Sequence, residues 1–160
     1  MWKYAAIGST LFLSSSIAVA DASNWTYTPI GDRQAAIFFS MSDQEITSHL
    51  YKGKISFCES TEDFFCFSTE YFNFAIPKKN KNRISEWRRN GIGFNSKKLT
   101  SPIKIMGKEI DVYKISSQKP DVEYYYSDFY GLVAFRAQGK DGQLFILEES
   151  CGFGSSKLCK

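Results

Sequence analysis

Cys58 and Cys66 stand eight positions apart, and Cys151 and Cys159 repeat the same C-x7-C spacing. No other cysteine occurs in the 160 residues. A pair that closes so short a loop can be bridged only if the chain doubles back, so each pair reads as the waist of a hairpin or the lock on a loop. The spacing is wider than the close C-x-x-C type pairs that zinc uses, and His49 is the only histidine available to help. No metal site and no cofactor is therefore expected.

What the thiols do depends on the compartment. The chain begins MWKYAAIGSTLFLSSSIAVADA, with one cation at Lys3, a small and apolar stretch, and Ala18-Val19-Ala20 as a small-x-small cleavage signal. This reads as a signal peptide over residues 1–20, cut after Ala20 or after Ala22. The stretch is too short and too rich in serine to serve as a membrane span, and no later segment is long and apolar enough. The expected location is the periplasm or the medium, and residues 21–160 are expected to form a single β-rich domain. In an oxidising compartment an even cysteine set reads as disulfides. Sequence leaves the pairing open, but the local pairs Cys58–Cys66 and Cys151–Cys159 are favoured. A hairpin centred near Glu62 sets Cys58 against Cys66 and Phe57 against Phe67, which places apolar side chains opposite each other. Closing such a loop is worth about 2.5 kcal/mol on the chain-entropy account.

The rest of the chain is punctuated like a β protein. Aromatic residues make up 16% of it, and they favour strands and large buried contacts. Strands are expected in NWTYT, AAIFFS, KISFC, FFCFS, YFNFAIP, YGLVAFRAQ and LFILEES. YFNFAIP divides into Tyr71, Asn73 and Ala75 on one face and Phe72, Phe74 and Ile76 on the other. IKIMGKEIDVYKIS reads as a hairpin around Gly107, and the last two strands as a hairpin around the turn from Gly139 to Gly142. RISEWRRNGIGF carries Asn90-Gly91, read as a two-residue turn that sets Trp87 opposite Phe94. Ser42 and Glu45 have capping-box spacing, so a short helix up to Gly53 is expected, with a loop and strand as the competing reading. The fold class is mainly β, an antiparallel sandwich or partly open barrel with one or two short helices, stabilised by disulfides.

Charge is unevenly spread. Residues 78–108 hold ten lysines and arginines and one acid, Glu86, whereas the segments on either side are net acidic. Lys78, Lys79, Lys81, Arg83, Trp87, Arg88, Arg89, Lys97 and Lys98 form the candidate contact surface. A basic surface with an aromatic side chain suits an acidic protein or an anionic envelope component. Solvated lysines that blunt sheet edges are the plainer reading. The export signal argues against nucleic acid, and no recognition helix or RNA-binding aromatic motif stands out.

Motifs for catalysis are thin. Glu45 and His49 would share a helical face, which gives a weak acid–base pair for a small hydrolase, but no G-x-S-x-G elbow supplies a nucleophile. Ser116-Ser117-Gln118-Lys119 matches S-x-x-K without the K-T-G element that should accompany it. Gly152-Phe153-Gly154-Ser155-Ser156-Lys157 resembles a phosphate cradle only superficially, because the glycines are wrongly spaced and no helix follows. That loop reads as a tied-down terminus. Asn24-Trp25-Thr26 is a glycosylation sequon. Tyr124, Tyr125 and Tyr126 offer interface anchors where exposed, but in an alternating strand one face of the run is expected in the core. The balance favours a non-enzymatic interaction protein, inhibitor-like or immunity-like, with a binder of anionic glycan or lipid as the alternative.

Overall fold

The computed structural model describes residues 24–30, 39–42, 45–48, 52–59, 61–70, 72–105, 107–137 and 142–156. The expected signal peptide, His49 and Cys159 lie outside the described residues. The described chain is built of strands: β1 (Trp25–Pro29), β2 (Phe39–Met41), β3 (Glu45–Thr47), β4 (Lys52–Lys54), β5 (Ser56–Phe57), β6 (Phe64–Ser68), β7 (Asn73–Pro77), β8 (Glu86–Arg89), β9 (Ile92–Lys98), β10 (Ile103–Ile105), β11 (Lys108–Ile110), β12 (Tyr113–Gln118), β13 (Asp121–Ser127), β14 (Gly131–Ala137) and β15 (Leu144–Leu147).

Every pairing is antiparallel. Ten strands form one sheet in the order β4-β3-β2-β1-β15-β14-β13-β12-β9-β8. The sheet β5-β6-β7 packs on one face of it, and the β10-β11 hairpin covers part of the other. The first and last described strands meet in mid-sheet, where Tyr27 of β1 stands opposite Leu147 of β15. The Glu149 carboxylate accepts the Thr26 amide at 2.8 and 2.9 Å and fastens that junction.

Between the two sheets lies an aromatic core. Tyr27, Phe67, Phe74, Tyr124, Tyr126 and Phe135 are buried there, beside Ile115, Leu132 and Leu147. Each such side chain contributes roughly 1.5–3 kcal/mol on leaving water. Phe74 meets Tyr124 edge-on at 5.1 Å, and Phe135 stacks on Phe145 at 5.2 Å. The buried tyrosine hydroxyls are all spoken for: Tyr27 donates to the Leu132 carbonyl, Tyr124 to that of Asn73 and Tyr126 to that of Gly154. Burial pushes all three phenols well above their usual range.

A bulge decides how β14 serves both faces. Tyr125 pairs with Ala134 but Tyr126 pairs with Leu132, so Val133 is the extra residue. Val133 and Ala134 consequently both face the second core, with Ile105, Ile110 and Val112, while Leu132 and Phe135 face the first. Tyr125 packs on that second core, so both faces of the tyrosine run are covered.

The turns follow local chemistry. Asn90 (φ 49°) and Gly91 (φ 77°) form the two-residue turn between β8 and β9, and Trp87 stands opposite Phe94 as expected. Gly107 (φ 72°) closes β10 to β11. Phe57 pairs with Phe67, and Cys58–Cys66 is a disulfide with Cα atoms 5.3 Å apart. Cys151 is buried and disulfide-bonded, while the expected Cys151–Cys159 pairing lies outside the described residues with Cys159.

One expectation needs correction. No helix occurs among the described residues, and the stretch after Ser42 forms strands β3 and β4. The Ser42 hydroxyl does accept the Glu45 amide at 3.2 Å, but the Ser42 amide also donates to the Glu45 carbonyl, so the pair closes a hairpin between β2 and β3. A serine capping its third successor is common to helix starts and tight turns, and here strand pairing prevails. In β7, Phe74, Ala75 and Ile76 are all 1% exposed, so both faces of that strand are buried.

Candidate binding cleft and the C-terminal loop

Loop 78–83 crosses one end of the aromatic core. The strand stops at Pro77, and Asn80 (φ 57°) turns the chain in the left-handed region that asparagine tolerates. The Lys81 side chain is only 12% exposed, and its ammonium pairs with Asp128 and lies over the Tyr126 ring at 4.9 Å and the Phe65 ring at 5.6 Å. Lys78 sits over Phe65 at 5.4 Å. Tyr113 donates its hydroxyl to the Asn82 side chain. Together these fasten the loop and leave a cleft of about 400 Å³ lined by Lys78, Asn80, Lys81, Asn82, Arg83, Tyr113 and Asp128. Burial, reinforced by the Asp128 carboxylate, raises the Tyr113 phenol above its usual range. Tyr113 thus stays a neutral donor in the cleft wall.

Strand register adds a further cation. Lys98 stands directly opposite Tyr113, so its side chain leaves the same face of the sheet beside the cleft. The cleft therefore has one acid, and that acid is already matched by Lys81.

The other sequence-nominated cations divide by role. Arg89 pairs with Glu62 and lies over the Phe64 ring at 5.6 Å, clamping the β8-β9 hairpin to the smaller sheet. Its hydrogen bond holds the Glu62 carboxyl below the usual range. The clamp closes a small pocket of about 110 Å³ walled by Phe57, the Cys58–Cys66 bridge, Phe67 and Phe94. Trp87 is half-buried and stacks on Phe94 at 5.9 Å, with its indole N–H buried and without an acceptor. Lys79, Arg83, Arg88, Lys97 and Lys98 are exposed and make no ion pair among the described residues. Lys97 leaves the opposite face from Lys98, next to Lys114, which is itself matched by Glu123 at 2.5 Å.

Sequence reasoning missed Tyr113, Asn82 and Asp128. Asp128 lies 47 residues from Lys81, and Tyr113 lies 31 residues from Asn82, so no local pattern joins them. A weak signal was available in the alternation of β12, which marks Tyr113 as an inward residue at a strand end.

The C-terminal loop does not present a cradle. Its backbone is used up on the turn after β13: the Leu132 amide donates to Phe153, the Gly152 amide to Tyr130 and the Ser156 amide to Asp128. A Cβ on Gly152 would lie 2.0 Å from the Leu132 carbonyl oxygen, and one on Gly131 (φ 76°) would lie 2.4 Å from that of Gly152. The glycines are there to let two backbones touch. Phe153 projects into the core against Trp25, Phe57 and Phe67 at 5.2–5.5 Å.

For catalysis, Glu45 lies in β3 and pairs with Lys52 at 2.9 Å, so the helical face it was expected to share with His49 does not form. Ser116, the serine of S-x-x-K, lies in β12 between Glu123 and Asn95 of the neighbouring strands, and the strand ends at Gln118, so the motif is a strand running into a turn. Among the described residues, no three His, Cys, Asp or Glu side chains gather as a metal group, and no helix is long and apolar enough to cross a membrane. No family model, no curated protein and no solved structure matches the chain.

Proposed function

We propose that this chain is a small exported, non-enzymatic interaction protein of inhibitor or immunity type, which binds an acidic macromolecular partner through loop 78–83 and the adjoining β9 strand. The observation that carries the reading is the cationic cleft above Tyr113. Lys78 and Arg83 line it, Lys79 lies on the same loop and Lys98 stands opposite Tyr113 on the adjoining strand, while its one carboxylate, Asp128, is occupied by Lys81. A loop fastened by ring contacts and hydrogen bonds keeps its shape before a partner arrives, which lowers the ordering cost of binding. Cations at such a rim raise the association rate and select against basic partners. The disulfide fits an oxidising compartment and the proposed export, and its part is rigidity.

The test is capture from envelope extract by tagged mature protein, compared with a Lys79→Glu/Arg83→Glu/Lys98→Glu variant. These three side chains are exposed, so the fold should survive the change. A discrete protein held stoichiometrically by the native chain, and lost by the variant and at high salt, supports the reading. Retention of anionic lipid or glycan instead would assign the cleft to that class of ligand. Equal capture by both chains would sink the cleft as the contact surface.

A further inference from the structure

Among the described residues the ten-stranded sheet ends in two strands with a single partner each, β4 and β8, and they differ in what they could pair with. β4 reads Lys52-Gly53-Lys54, so pairing antiparallel with its own copy about Gly53 sets lysine against lysine, a device that blunts an edge. β8 reads Glu86-Trp87-Arg88-Arg89. In the β8-β9 hairpin the Ser96 amide bonds the Ser85 carbonyl, and Trp87 pairs with Phe94 two places on. By the alternation of an antiparallel ladder, Ser85, Trp87 and Arg89 direct their backbone groups toward β9. The N–H and C=O groups of Glu86 and Arg88 therefore point away from the sheet, where no described strand meets them.

We propose that β8 is a self-complementary seam, at which a second copy of this chain pairs antiparallel about Trp87 and carries the sheet across a two-fold axis. Only Glu86 and Arg88 offer outward backbone groups, so they must supply the bonded pairs. Pairing each with its own copy sets like charges directly opposite. Pairing Glu86 with the other copy's Arg88 sets opposite charges together, twice over by symmetry. The same register places the two Trp87 residues in the unbonded position, where strands approach most closely and large rings meet. Both charged side chains are exposed on the outer face, and Trp87 lies on the inner face beside Phe94. The surface is isologous, as a closed dimer requires. Its residues do not line the cleft above Tyr113, and the pairing does not depend on what that cleft binds.

A seam four residues long is smaller than the roughly 1,200 Å² of stable complexes, so association should depend on concentration. The test is sedimentation of the mature protein up to about 1 mM, a range that detects weak pairing. The native chain is expected to shift from monomer toward dimer. Glu86→Arg and Arg88→Glu, each alone, should stay monomeric with an unchanged circular dichroism spectrum, because each variant carries one sign of charge at both positions. An equal mixture of the two should associate, because each bonded pair then joins an arginine of one variant to a glutamate of the other. A monomeric native chain throughout the range, single variants that associate like the native chain, or a mixture that stays monomeric would each overturn the proposal.

Discussion

Phe153→Ala separates a structural C-terminal loop from a ligand-binding one. The ring lies against Trp25 at 5.5 Å, Phe57 at 5.2 Å, Phe67 at 5.5 Å and Phe74 at 6.1 Å, bridging both sheets from a loop. Truncating a core phenylalanine costs about 3–5 kcal/mol, through lost transfer energy and the cavity left behind. Phe153 is half-buried, which favours the lower end, about 3 kcal/mol. With a urea slope of about 2 kcal/mol/M for a domain of this size, the unfolding midpoint should fall by about 1.5 M. Ile30→Ala is the control, since Ile30 is 51% exposed and should stay within about 0.5 kcal/mol of the native chain. A Phe153→Ala loss below about 1 kcal/mol would refute the argument, because the ring contacts would then contribute little.

Further expectations follow from the same packing. Gly152→Ala should destabilise more than Gly93→Ala, since its Cβ meets the Leu132 carbonyl at 2.0 Å while that of Gly93 meets nothing nearer than 3.7 Å; comparing their thermal midpoints decides it. Tyr27, Tyr124 and Tyr126 are buried neutral with raised phenol values, so the unfolded chain loses those protons first. Stability should hold below about pH 10 and then fall with rising pH, by about 1.4 kcal/mol per unit for each phenol, as alkaline unfolding curves will show. Glu62 has a lowered value through Arg89, so its contribution is present above the ordinary carboxylate range and is lost as pH falls through the lowered one. An acid titration of Glu62→Gln should lack that loss, and a superimposable titration would remove the clamp from the account.

Much of the local architecture was legible because turn chemistry is local. Asn90-Gly91 fixes a hairpin through two positive φ values, and the Cys58–Cys66 spacing fixes another through one covalent bond. Both gave the register as well, including Trp87 against Phe94 and Phe57 against Phe67. The Ser42–Glu45 pair misled because one hydrogen bond serves both a helix start and a tight turn, and only distant strand neighbours choose between them. The basic run was visible as charge but not as surface. Which cations are consumed depends on Asp128, Glu62 and the rings of Phe64 and Tyr126, all placed by tertiary packing. The junction of β1 with β15 joins strands more than a hundred residues apart, which no local pattern can announce.

The most direct test of the functional account is the affinity of the captured partner for native chain and for the Lys79→Glu/Arg83→Glu/Lys98→Glu variant, measured across a range of ionic strength. The account expects native binding to weaken steadily with salt and the variant to bind far less at low salt, with identical unfolding curves for the two chains. Salt-independent binding of equal strength by both would contradict it.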